Sequence, residues 1–144
     1  MNLEELNNMV RIDLKIDETE LTRESLSKPL LHNKYNKILI DEKYILRKKQ
    51  NEYDRVLLHK TRIFNGTASP EEYNTEDSLY KNLKIDKKEI PLYLNADKLL
   101  NTFRESLEEQ KELVNFIERT IKEIDNRSWS IKNALESNKF DLGG

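Results

Sequence analysis

The sequence contains no cysteine, which excludes disulfides, thiol chemistry and cysteine-bound zinc. It has only three glycines and two histidines, His32 and His59. No phosphate-cradling glycine loop is present, and neither histidine sits in an H-E-x-x-H or other ligand pattern. Long apolar runs are missing too, with nothing near the roughly 18–20 residues a membrane span needs. An excess of one charge is also lacking: 25 Lys and Arg stand against 27 Asp and Glu, for a net charge of −2. The N-terminus, Met1-Asn2-Leu3-Glu4-Glu5, has neither the basic start nor the apolar core of a signal peptide. A cytoplasmic location is therefore expected, and the sequons at Asn65 and Asn126 read as chance matches. Adjacent acids such as Glu71-Glu72 and Glu108-Glu109 read as exposed surface. These absences predict a binding or assembly protein, not an enzyme, with no cofactor and no bound metal.

What is present is charge and periodicity. Charged residues make up 36% of the chain and hydrophobic residues another 36%, a balance that suits long amphipathic helices assembling with partners. At 144 residues the chain is one domain's worth. Leu3, Leu6 and Val10 predict a first short helix, and Leu21 with Leu26 a second, capped by Asp17 or Thr19. Pro29 to Phe64 reads as one long helix, with proline in its first turn and Asn65-Gly66 as its stop. Asn65 to Ser78 is a loop with four acidic residues and no basic ones. Residues 80–94 leave room for a small β element, a short strand around 82–85. The fold class expected is mostly α. Its parts are a long amphipathic helix in an N-terminal region, 1–94, and a helical oligomerisation region, 95–144.

The long helix separates its charges from its apolar face. At 100° per residue, Leu31, Tyr35, Leu39, Tyr53, Leu57 and Phe64 lie within about 60° of Leu46. Almost opposite lie Lys37, Lys48, Arg55, His59 and Arg62. Residues 30–64 hold nine basic and four acidic side chains, a local balance of +5. Only Asn51 and Glu52 intrude on the basic stripe, so its mutual repulsion is little relieved and a polyanion would neutralise it. Phe64, beside Lys60 and Arg62, offers a stacking surface for an unpaired base. The plain alternatives are a solvated helix face and, for Phe64, a core aromatic on the apolar stripe.

Asn95-Ala96-Asp97 is a helix start, and the most regular stretch follows it. Leu100, Phe103, Leu107, Gln110, Val114, Ile117, Ile121 and Ile124 repeat at alternating spacings of three and four. Such a seam needs a partner helix from its own chain or a neighbouring subunit, and Leu99, Leu113 and Phe116 widen it beyond a two-stranded coil. Ser128 is read as the cap of a last short helix carrying Trp129, Ile131 and Leu135.

Several segments carry a resemblance. They are Ile16-Asp17 before a Leu21-bearing helix, Leu31-His32-Asn33-Lys34-Tyr35, Lys60-Thr61-Arg62 running into Phe64 and Gly66, and Asn126-Arg127 through Ile131-Lys132 to Lys139-Phe140. Over nearly its whole length the chain resembles the UvsY-type recombination mediators of tailed phages. The resemblance implies a mediator that binds single-stranded DNA and promotes loading of a recombinase in place of single-strand-binding protein. It further implies a closed homo-oligomeric ring formed through the C-terminal region, acting in the cytoplasm of the infected bacterial host. The Lys-x-Arg-aromatic-Gly element carries Lys60 and Arg62 over as DNA contacts, joining Lys48, Arg55, His59 and Phe64. Helical arithmetic places Lys60 and Arg62 about 200° apart, with Lys60 near the apolar side. The seam residues Leu100, Phe103, Leu107, Val114, Ile117, Ile121 and Ile124 are expected to hold the assembly. The competing reading is a non-enzymatic oligomeric scaffold whose basic face meets an acidic protein partner.

Overall fold

The computed structural model describes residues 1–15, 21–73, 77–81 and 83–143, and their side chains except at 21–26, 128 and 140–143. Four α-helices carry the chain: α1 Leu3–Asp13, α2 Leu21–Asn65, α3 Ile90–Ala96 and α4 Lys98–Gly143. Two short 3-10 turns, Pro70–Glu72 and Asp77–Tyr80, lie between α2 and α3. No described residue is in a strand. Where a small β element was expected, residues 83–86 have no regular structure and Pro91 stands in the first turn of α3. Proline there suits a helix start and supplies no ladder hydrogen bond.

Three helix boundaries differ from their sequence signals. Pro29 lies inside α2, which begins eight residues earlier. Lys28 and His32, on either side of the proline, both reach Asp125 of α4, at 3.7 and 4.0 Å. Ser128 does not start a new helix, because α4 runs unbroken through it; serine is only a mild helix breaker, and no glycine or proline accompanies it. Asn95-Ala96 ends α3, and Asp97 alone caps α4, its Oδ1 accepting from the Leu100 amide at 2.8 Å. The Asp17 or Thr19 cap lies outside the described residues.

The chain packs into two compact units, residues 1–44 with 112–144, and residues 45–111. In the first, α1 is opened by a reciprocal cap. The Asn2 side chain accepts from the Glu5 amide at 2.8 Å, and the Glu5 carboxylate accepts from the Asn2 amide at 3.4 Å. Leu6 and Val10 of α1 pack with Tyr35 of α2 and with Leu113, Ile117 and Ile124 of α4. Ion pairs of Lys43 with Glu118 and Lys28 with Asp125 show α2 and α4 running antiparallel here. Asp13 accepts from Lys34 Nζ at 2.7 Å and from the Tyr35 hydroxyl at 2.8 Å. Burial first, then the hydrogen bond and charge of Asp13, push the Tyr35 phenol above its ordinary value.

The end of α1 is closed from a distance. Arg127 of α4 donates to the carbonyls of Asp13 at 2.6 Å and Lys15 at 3.2 Å, satisfying groups a helix terminus leaves orphaned. Arg127→Met is expected to cost about 1.5–3 kcal/mol, the range for hydrogen bonds to a charged group. Faster amide exchange in α1 than in α4 is the check; equal protection of both would place the loss elsewhere.

In the second unit α4 again runs antiparallel to α2: Lys60 meets Asp97 at 3.1 Å, and the Arg104 guanidinium lies 6.0 Å from the Tyr53 ring centre. Ile63, Phe64 and Ile90 form its core, with Tyr80 and Tyr93 packed around Phe64. Within each unit, the seam residues that it holds are turned away from solvent. Leu100, Leu107, Val114, Ile117 and Ile124 are each at most 5% exposed within a single chain, and Phe103 and Ile121 are half-buried. The partner helix left open by the periodicity is supplied by the chain itself.

Candidate nucleic-acid interface

The candidate residues lie along the last five turns of α2. The helix ends where Gly66 takes φ +74°, a left-handed value that glycine adopts without strain. The Gly66 amide bonds the Ile63 carbonyl at 3.2 Å and the Thr67 amide bonds the Arg62 carbonyl at 2.9 Å, a Schellman ending. The Ala68 amide adds a third bond, to the Arg62 carbonyl at 3.2 Å. The chain therefore reverses tightly, and residues 67–73 and 77–80 lie over the end of the helix that they follow.

That return sorts the candidates into two groups. Lys48 and Arg55 are exposed, and the side chains of Arg62 and His59 are 44% and 35% exposed. Their spacing of seven, four and three residues keeps them on one side of the helix. Arg62 donates to Glu72 Oε1 at 2.8 Å. His59 has Nδ1 3.9 Å from Glu72 Oε2 and Nε2 3.9 Å from Asp77 Oδ2.

Lys60 and Phe64 sit on the other side. Lys60 is 2% exposed, with its ammonium 2.8 Å from Asp77 Oδ1 and 3.1 Å from Asp97 Oδ2. Burial pulls the ammonium down, and the hydrogen bonds and charges of Asp77 and Asp97 outweigh it, leaving Lys60 above its ordinary value. It stays charged, as a buried pair requires. Phe64 is 2% exposed, edge-on to Tyr80 with ring centres 5.1 Å apart and tilted against Tyr93 at 5.6 Å. The structure thus brings Lys48, Arg55, His59 and Arg62 to one surface and places Lys60 and Phe64 beneath it.

Three further residues shape this end of the helix: Glu72, which the sequence reading placed on the exposed surface and which is half-buried on Arg62; Asp97, read only as a helix start; and Asp77, not singled out. The acid-only composition of residues 65–78 was the available signal for Glu72 and Asp77, because acids beside a basic helix end have an obvious counterpart. Asp97 announced itself only as a cap, and one of its oxygens does serve Leu100 while the other faces Lys60. Among the described residues no cluster of three or more His, Asp or Glu has the makings of a metal site. No described helix is long and apolar enough to cross a membrane.

The family model described as "Recombination, repair and ssDNA binding protein UvsY" matches residues 9–144 of the chain. The fold is similar to crystal structures of the bacteriophage T4 recombination mediator protein UvsY. For lattice type II the TM-score is 0.86 at 22% identity, covering 99% of this chain and 98% of that one. For lattice type I it is 0.81 at 20% identity, covering 95% and 98%. For lattice type IV it is 0.82 at 20% identity, covering 98% and 99%. No curated protein sequence matches significantly.

Proposed function

We propose, since the chain belongs to the UvsY family of recombination, repair and ssDNA-binding proteins, that it is a recombination mediator gripping single-stranded DNA with the basic side of α2. It would promote loading of a recombinase in place of single-strand-binding protein. The observation that carries the reading is the surface shared by Lys48, Arg55, His59 and Arg62 along one side of one helix, a row of positive charge suited to a phosphate backbone. Lys60 and Phe64 serve this surface from below, fixing the helix end and its returning loop.

A handful of phosphate contacts per chain binds weakly and is strongly salt-dependent. Several chains joined through residues 95–144 into a ring would multiply the contacts, so assembly belongs to the function. In this reading the seam residues shape α4 by packing it against α2. Exposed Leu99 and Trp129 remain as apolar surface for a neighbouring chain. Mediation then needs no bond made or broken: a strand held in the conformation the recombinase prefers shifts the exchange in its favour.

Anisotropy of a labelled single-stranded oligonucleotide, titrated at low and moderate salt beside its duplex, tests this. The single strand should bind in preference and release steeply with salt. With Arg55→Ala and Arg62→Ala combined, the slope of log K against log salt should flatten by about 1.4, two contacts at about 0.7 each. A scaffold that binds an acidic protein is the second reading, favoured by the carboxylate already seated on Arg62. Absence of oligonucleotide binding at low salt would leave that one standing.

A further inference from the structure

Glu72 and Asp77 lie on the basic helix end, and their ion pairs with Arg62 and Lys60 differ in kind. Asp77 is buried against Lys60, both side chains 2% exposed. Glu72 is 26% exposed on Arg62, whose side chain is 44% exposed, so solvent and solutes reach that pair. Glu72 Oε1 takes the Arg62 guanidinium at 2.8 Å and a hydrogen bond from the Ser69 hydroxyl at 3.2 Å. Its Oε2 turns to His59. One carboxylate thereby pairs with Arg62 and faces His59 of the basic stripe, in the place where a phosphate bound by both would put its oxygens. The loop is held there by its own backbone, since the Thr67 and Ala68 amides bond the carbonyl of Arg62 itself.

We propose that Glu72 sets the affinity of this surface for nucleic acid by acting as a built-in competitor, its carboxylate holding Arg62 until a phosphate displaces it. The proposal rests on the single-strand-binding reading above. A partly exposed ion pair is weak enough to exchange, whereas the buried Lys60–Asp77 pair is not. A single phosphate gains little over the carboxylate it replaces. A strand that also engages Lys48 and Arg55 carries the exchange with it, so the competitor selects for chains of phosphates over isolated ones.

The test compares Glu72→Gln, Glu72→Asp and Glu71→Gln by anisotropy with the labelled single strand, in the full-length chain. Glu71 is exposed on the same turn and takes neither contact with the stripe, so Glu71→Gln matches the charge change alone. Glu72→Gln should tighten binding about two- to fivefold, the scale of one partly exposed ion pair. Glu72→Asp, which withdraws the carboxylate at constant charge, should tighten it in the same direction. In an Arg62→Ala background Glu72→Gln should bring no gain. Equal tightening by Glu71→Gln and Glu72→Gln, with none from Glu72→Asp, overturns the competitor. Binding that Arg62→Ala weakens but Glu72→Gln leaves unchanged overturns it too, while the DNA reading survives. A wild-type chain that binds no single strand removes both.

Discussion

Replacing Lys60 with Met is expected to destabilise the protein by about 3–5 kcal/mol, the cost of stripping one partner from a buried ion pair. Asp77, 2% exposed, loses its counter-charge, and Asp97 loses one of the groups it faces. Against a total stability of about 5–15 kcal/mol this is a large fraction, and urea unfolding followed by circular dichroism should show it as a lowered midpoint. Adding Asp77→Asn removes the orphaned charge and should restore most of the loss. Because Lys60 is raised above its ordinary value when folded, its contribution is complete below about pH 10.4 and fades only as pH rises through the folded value. The double variant also separates two roles for the residue. If Lys60 acts through the fold, Lys60→Met with Asp77→Asn keeps its single-strand affinity once stability returns. If its ammonium touches the strand, affinity stays down in a stable protein.

Leu107→Asp is expected to unfold the protomer and not merely to separate subunits. Leu107 is 2% exposed inside one chain, so the substitution removes a packed side chain and puts a carboxyl in its place. The lost packing alone is worth about 2–5 kcal/mol, and desolvation of the carboxylate adds to it. Burial raises the pKa of the introduced carboxyl in the folded chain above its unfolded value near 3.9. The desolvation penalty is therefore absent below about pH 3.9 and grows until the folded pKa is passed, so the damage is greatest at neutral pH. Thermal melts by circular dichroism, run beside sedimentation velocity, decide the matter. A normal melt with altered sedimentation would move Leu107 from the protomer's interior to a contact between chains.

The local signals were legible in the sequence because they depend on neighbours a few residues away. The stop at Asn65-Gly66 needs only a glycine free to take a left-handed φ, and the start at Asp97 needs only a short acceptor three residues before Leu100. The segregation of Arg55 and Arg62 from Leu46 and Leu57 follows from 100° per residue. Family membership was legible through the Lys60–Gly66 element and the segments around it.

Tertiary structure decided which partner each face met. A heptad seam states that α4 must bury apolar area, and it says nothing of whether the covering helix is α2 or another subunit's. Helical arithmetic turned Lys60 toward the apolar side; only the packing of Asp77 and Asp97 around it made a buried pair. Pro29 lies inside α2, and the residues beside it, Lys28 and His32, face Asp125 far along the chain, a neighbour that no local pattern names. Periodicity and caps are written in spacings of three, four and seven, so the sequence by itself determined the helices and their faces. Counter-charges and packing partners come from distant parts of the chain, and their identity follows from the three-dimensional fold alone.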